Sequence, residues 1–130
     1  MGILDDVKSI LDETPHVKVA WVFGSVEKGK PRRESDLDVA VLGSAPLSTK
    51  QKMNLIQRLA QVSGRPVDLI DLQASHGPIV GRVLHEGRQL FCKDTRLYAG
   101  LIKRWMFDQA DWMPYRRRIM KARREAWIES

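Results

Sequence analysis

The chain has 130 residues, of which 43% are hydrophobic, so it can form one packed core but not two ordinary domains. No apolar run approaches the roughly 20 residues of a membrane-spanning helix. The first residues also lack the basic flank and apolar centre of a secretory signal, so we expect a cytoplasmic protein. The single cysteine, Cys92, excludes an internal disulfide and cannot form a zinc site alone.

Positive charge is concentrated at the end of the chain. The formal net charge is +6, and residues 96–130 hold nine Lys or Arg against four Asp or Glu, which leaves the first 95 residues nearly neutral. A protein that binds polyanions is usually basic around its working surface. We therefore do not expect nucleic acid to be the main ligand.

The first third of the chain predicts one helix and two strands. Apolar residues recur at helical spacing from Ile3 to Leu11 and stop before Thr14-Pro15, which predicts the helix. Two largely apolar runs, Val17 to Phe23 and Asp36 to Leu42, each end at a glycine and predict the first two strands.

The middle of the chain predicts a crossover helix and a third strand. Ser48 and Gln51 form a capping-box pattern at the start of the helix, and Ser63-Gly64 ends it. Pro66 to Leu72 then predicts a strand. Because a strand-helix-strand unit of this length requires a crossover, the second and third strands are predicted to run parallel, with their N-terminal ends together.

The remaining residues predict a short helix, an edge strand and a long helical segment. These lie over residues 77–86, 89–92 and 95–129, and Pro114 interrupts the last. The predicted fold class is α/β (α+β), a small mixed β-sheet with flanking helices in a single domain.

Two short motifs carry the chemistry. Gly24 and Ser25 follow the first strand, where free N–H groups and a hydroxyl can bind phosphate oxygens. Ten residues later come Asp36 and Asp38, which project from the same face of a strand. Two such acids on an apolar strand repel each other unless a cation lies between them, and Mg²⁺ takes oxygen ligands and bridges to phosphates.

The third strand offers two further carboxylates, Asp68 and Asp71, on opposite faces. Asp68 lies near the start of the strand, level with Asp36 and Asp38. Asp71 lies about 10 Å farther along and points the other way. We therefore expect Asp68 to be the third metal ligand and Asp71 to be a polar strand end or a helix cap.

The order Gly-Ser, ten residues, Asp-x-Asp resembles the signature of the DNA polymerase beta-like nucleotidyltransferases. The small size resembles their minimal members, the minimal nucleotidyltransferases (MNT). The resemblance implies a polymerase beta-like fold, with a nucleotidyltransferase catalytic core over residues 1–95 and a C-terminal helical extension of the same domain over residues 96–130.

The resemblance also implies a mechanism. Two Mg²⁺ ions, held by Asp36, Asp38 and Asp68, would align an acceptor hydroxyl with the α-phosphorus of a nucleoside triphosphate such as ATP, and pyrophosphate would leave. Gly24 and Ser25 would hold the β- or γ-phosphate. Asp68 would bind the ion nearest the acceptor hydroxyl and accept its proton.

Four basic residues lie between the two halves of the motif: Lys28, Lys30, Arg32 and Arg33. Each can neutralise phosphate charge or can be a solvated loop charge. Lys28 occupies a position where relatives often carry Arg, and we expect it to contact the nucleotide.

The acceptor follows from the resemblance alone. Minimal nucleotidyltransferases typically act as antitoxins that bind a HEPN-domain ribonuclease toxin and transfer AMP to it, which implies a toxin hydroxyl, that of a Tyr, as acceptor. Two alternatives stay open. One is transfer to a small-molecule hydroxyl, as in aminoglycoside modification, at a site completed by a homodimer. The other is a non-catalytic binding antitoxin.

Aromatic and Met side chains form a stripe of helical period along the C-terminal segment. Tyr98, Trp105, Trp112, Ile119 and Ala126 recur every seven residues. Part of the stripe is expected to pack on the domain's own sheet. The distal half, residues 112–127, also carries five Arg residues, and a mixture of Trp, Met and Arg is typical of interfaces. We expect that half to dock a partner chain in a homo- or hetero-oligomer.

Overall fold

The fold is taken from a computed structural model, which describes residues 2–23 and 36–109. The elements in chain order are α1 (Ile3–Asp12), β1 (Val19–Phe23), β2 (Leu37–Leu42), α2 (Thr49–Ser63), β3 (Val67–Asp71), α3 (Pro78–Glu86) and β4 (Arg88–Cys92). A further helix, α4, begins at residue 95 and continues to residue 109, the last described position. These elements confirm the predicted order of helices and strands.

The four strands form one mixed sheet in the order β3-β2-β1-β4. β2 and β3 run parallel, whereas β1 runs antiparallel to both β2 and β4. The predicted parallel pair and the predicted edge strand are confirmed. β1 therefore ends where β2 and β3 begin, and we call this end, marked by Phe23, Asp38 and Asp68, the acidic end of the sheet.

Helices cover both faces of the sheet. α1 and α2 contribute Val7, Leu11, Leu55 and Leu59 to one apolar cluster, and α3 and α4 contribute Val80, Val83 and Leu101 to the other. All five residues of β1 are buried, because a strand covered on both faces needs apolar side chains on both. The central place of β1 in the sheet therefore explains why all of its residues are apolar.

The caps of α2 have the predicted geometry. The Ser48 hydroxyl accepts a hydrogen bond from the Gln51 N–H at 3.1 Å, and the Gln51 side chain accepts one from the Ser48 N–H at 2.9 Å. Gly64 ends the helix in the left-handed region, with φ of 66°, where a residue without Cβ is not strained. These local bonds fix the start and the end of the crossover.

The first half of α4 packs on the domain's own core, as expected for part of the aromatic stripe. Tyr98 lies against Trp21, with ring centroids 5.8 Å apart, and Leu101 is buried. Arg104 donates hydrogen bonds to the carbonyls of Leu72 and Ser75 after β3. The distal half of the stripe, residues 112–127, lies outside the described residues. Within the described residues, no helix is both long and apolar enough to cross a membrane.

Gly81→Ala should destabilise the domain, although alanine usually favours a helix. A Cβ at Gly81 would lie 2.7 Å from Nε1 of Trp105, so the Trp105 ring or the two helices would have to shift, at a cost of about 1–3 kcal/mol. Gly100→Ala is the matched control, since nothing lies within 4 Å of the added Cβ, and it should be neutral or stabilising by up to about 1 kcal/mol. Urea denaturation of both variants tests the contact, and equal stabilisation by both would show that Trp105 does not pack closely on Gly81.

Candidate active site

The strand register brings two of the predicted acids side by side. Asp38 lies opposite Asp68 in the parallel pair β2–β3 and opposite Phe23 in the antiparallel pair β1–β2. Ala40 and Ile70, two residues farther along each strand, belong to the cluster under α3 and α4. Because side chains alternate along a strand, both carboxylates face that side of the sheet.

Asp36 lies one residue before β2, although the sequence pattern predicted it within the strand. It is exposed, as is Asp68, whereas Asp38 is half-buried between them. The structure therefore places the three acids at one end of the sheet, with Asp38 as the most enclosed member.

Asp38 lies in the electrostatic field of its neighbours. Burial raises the pKa of Asp38 above its usual range, the Asp68 and Asp36 carboxylates raise it further, and the Arg82 guanidinium lowers it. A cation near these like charges would favour the ionised form of Asp38. The acidic end therefore has the electrostatics of a cation-binding site.

Mg²⁺ fits the chemistry of these carboxylates. It is usually bound by one or two protein carboxylates, with substrate phosphates as further ligands. In the part of the chain that the structure describes, no three acidic, His or Cys side chains are already gathered into a metal site. A bound ion would therefore have to draw the exposed carboxylates of Asp36 and Asp68 toward that of Asp38.

Asp71 has a structural environment. It is buried, and its carboxylate accepts hydrogen bonds from the N–H groups of Leu47 at 2.7 Å and Gln73 at 3.0 Å. It lies opposite Val41 at the far end of the β2–β3 pair. As expected, Asp71 is a polar strand end, and here it joins the segment before α2 to the turn after β3.

The other predicted nucleotide-binding residues lie outside the described residues: Gly24, Ser25 and Lys28, together with Lys30, Arg32 and Arg33. Gly24 follows Phe23 directly in the sequence, and Phe23 is the residue opposite Asp38. The chain therefore enters the Gly-Ser motif from the acidic end.

Arg82 is a residue at this end that the sequence analysis missed. Its guanidinium carbon lies 5.6 Å from the centroid of the Phe23 ring, and its Nε donates to Glu86 at 3.2 Å. In the sequence, Arg82 and Glu86 form only an i,i+4 pair on a helix, which is common on solvated faces. Nothing in that pattern pointed to the acids.

A cleft of about 260 Å³ lies elsewhere, between the turn before β1 and α2. Its lining residues are Thr14, Pro15, His16, Lys50, Gln51, Asn54, Leu55 and Arg58. They lie near the start of β1, which is the opposite end of that strand from Phe23 and the acids. The cleft is therefore separate from the acidic end.

Asp38→Asn should raise the melting temperature (Tm) of the metal-free protein at neutral pH. Because the pKa of Asp38 is higher in the folded protein than in the unfolded chain, ionisation of Asp38 lowers the stability of the fold once the pH exceeds both values. The gain should be a few degrees at most, since a partly exposed charge contributes under about 1 kcal/mol.

Thermal scans in the presence of a chelator check this prediction. The advantage of the variant should disappear under acid conditions, where the Asp38 carboxyl is protonated in both states. Added Mg²⁺ should raise the Tm of the wild type more than that of the variant. A lower Tm for Asp38→Asn at neutral pH without metal would contradict the electrostatic description.

Known proteins resemble this chain in both sequence and fold. The chain matches the family model for Polymerase beta, Nucleotidyltransferase, over residues 5–96. It is 33% identical over 95 residues to the protein adenylyltransferase MntA of Shewanella oneidensis, which covers 72% of this chain and 68% of that protein.

Two solved structures show the same fold. A chain of a toxin–antitoxin crystal structure with AMP-PNP superposes with a TM-score of 0.72 at 26% identity, covering 90% of this chain and 98% of that one. A chain of the complex between a tri-AMPylated Shewanella oneidensis HEPN toxin and an MNT antitoxin gives 0.68 at 24% identity, covering 91% and 96%. The resemblance to the polymerase beta-like nucleotidyltransferases is confirmed, and the chain belongs to the polymerase beta nucleotidyltransferase family.

Proposed function

We propose that this nucleotidyltransferase is an antitoxin that transfers AMP from ATP to a hydroxyl, that of a Tyr, on a HEPN ribonuclease toxin in the cytoplasm. The observation that carries the proposal is the register of Asp38 and Asp68 at the acidic end, in a chain one third identical to a protein adenylyltransferase. ATP as donor is supported by the AMP-PNP in a structure of the same fold.

Asp36, Asp38 and Asp68 are proposed as the catalytic residues and as the ligands of two Mg²⁺ ions. The ions would supply positive charge for the triphosphate and lower the pKa of the acceptor hydroxyl. The hydroxyl oxygen attacks the α-phosphorus, the bond to the bridging oxygen of the β-phosphate breaks, and pyrophosphate leaves. Asp68, the exposed acid on the outer strand of the pair, accepts the hydroxyl proton.

Gly24, Ser25 and Lys28 are proposed to bind the phosphates that leave. Phe23, the residue that precedes the motif in the sequence, lies opposite Asp38, which supports this role. We also propose that residues 1–95 form the catalytic core and that residues 96–130 form a helical extension of the same domain.

Two exposed apolar residues of α4 favour a protein acceptor. Met106 and Phe107 are 60% and 61% exposed, and adjacent exposed apolar side chains of this size are typical of a surface that another protein covers. They lead in sequence toward residues 112–127, the proposed docking segment with its Trp, Met and Arg residues. An acceptor that covers Met106 and Phe107 would lie on the side of the sheet that the acids face, since α4 packs on that side.

Intact-mass spectrometry tests the function. The chain is mixed with a cognate HEPN toxin, ATP and Mg²⁺, and the toxin should gain the mass of one or more AMP groups. The Asp38→Asn chain, which still carries the docking segment, is the control and should leave the mass unchanged. Inhibition of the toxin without a mass change would favour the non-catalytic antitoxin, and AMP found on an added aminoglycoside instead of the toxin would favour the small-molecule enzyme.

A further inference from the structure

Arg82 occupies a defined position relative to the three acids. α3 packs on the face of the sheet that Asp38 and Asp68 also face, and Arg82 lies over Phe23, the residue opposite Asp38. The sheet therefore presents, in strand order β3, β2 and β1, first Asp68, then Asp38, and then Phe23 with Arg82 above it.

This order matches the direction of the proposed reaction. The attacking oxygen and the leaving oxygen lie on opposite sides of the α-phosphorus. If Asp68 receives the acceptor proton on β3, the attack comes from the β3 side and pyrophosphate leaves toward β1. Neighbouring strands are about 4.8 Å apart, so the β- and γ-phosphates would then lie over Phe23, within reach of a side chain as long as Arg82.

The surroundings of Arg82 leave it free to change partners. The Arg82 and Glu86 side chains are 55% and 65% exposed, and their ion pair is 3.2 Å long. An exposed i,i+4 pair of this kind is weak. A triphosphate offers more negative charge, and guanidinium groups bind phosphate oxygens with two parallel hydrogen bonds.

We propose that Arg82 exchanges Glu86 for the β- or γ-phosphate of the bound triphosphate and holds the pyrophosphate as it leaves. This inference rests on the proposed function for the direction of transfer. It assigns Arg82 as a nucleotide-binding residue outside the Gly-Ser and Asp-x-Asp motifs.

Calorimetric titration with Mg²⁺ and two nucleotides tests the proposal without turnover. A non-hydrolysable ATP analogue contains the phosphates that Arg82 would bind, whereas AMP, measured by competition with the analogue, does not. Arg82→Gln should weaken binding of the analogue by about 10-fold or more and change AMP binding by less than about twofold. Arg82→Lys should restore part of the affinity, and Glu86→Gln should leave analogue binding equal or tighter.

Arg58→Gln is the matched control, because Arg58 is also a helical arginine paired with a glutamate, Glu13, at 3.3 Å, but lies on the opposite face of the sheet. It should bind both nucleotides as the wild type does. Unchanged analogue binding by Arg82→Gln, or an equal loss for the analogue and AMP, would overturn the inference while leaving the proposed function intact. A wild-type chain that binds no analogue at all would overturn both.

Discussion

Asp38→Asn should lower the rate of AMP transfer on the order of 1000-fold or more, while the protein stays folded. Asp38 is the central acid of the three, beside Asp68 in the register and next but one to Asp36 in the sequence. An amide in its place removes a negative charge where two positive ions are needed to offset the triphosphate. Single-turnover rates with labelled ATP, saturating Mg²⁺ and the purified partner measure the loss.

The same experiment tests whether Asp36 and Asp68 are also catalytic. Asp36→Asn and Asp68→Asn should lose comparable activity, and circular dichroism should show all three variants folded, because none of these side chains belongs to an apolar cluster. A fully active Asp38→Asn enzyme would show that the chemistry takes place elsewhere.

Asp71→Ala should lower stability and leave catalysis intact. We expect a loss of about 3 kcal/mol in the free energy of unfolding. The substitution leaves two N–H groups, those of Leu47 and Gln73, without their carboxylate acceptor. Hydrogen bonds to a charged group contribute about 1.5–3 kcal/mol each, and part of that loss is recovered by water. Urea denaturation measures the change.

Asp71→Asn is the milder companion, since its amide oxygen still accepts one of the two bonds, and it should lose about half as much stability. Activity per folded molecule should remain near that of the wild type in both variants, in contrast to Asp68→Asn on the same strand. A stable but inactive Asp71→Ala protein would mean that Asp71, and not Asp68, is the catalytic acid of β3.

The contrast between Asp68 and Asp71 could be predicted because it depends on local rules. Ser48 and Gly64 fix the ends of a 15-residue helix, which is too long for a hairpin and requires a crossover. The crossover makes β2 and β3 parallel, and the period of two along a strand then separates the faces of the two acids.

Strand boundaries were less predictable. The first strand was expected from Val17, yet β1 begins at Val19, because the Val17 N–H donates to the Thr14 carbonyl at 3.1 Å and belongs to the turn after α1. The sequence alone does not show whether Val17 belongs to the turn or to the strand, since a β-branched residue can occupy either.

Arg82 could not be predicted for a different reason. The apolar period of α3 shows that Val80 and Val83 face the core, but it does not show which strand lies beneath them. Only the packing of the helix over β1 brings Arg82 above Phe23, the residue opposite Asp38. A contact between elements that are distant in sequence requires the tertiary structure.

The most direct test of the account uses ATP labelled at the α- or the γ-phosphorus. With the wild-type chain, the proposed HEPN partner and Mg²⁺, the α label should enter the partner and the γ label should appear only in pyrophosphate. Asp36→Asn and Asp38→Asn chains should transfer neither. Entry of the γ label into the partner, or undiminished α-label transfer by the Asp38→Asn chain, would contradict an AMP transfer carried out by the acidic end of the sheet.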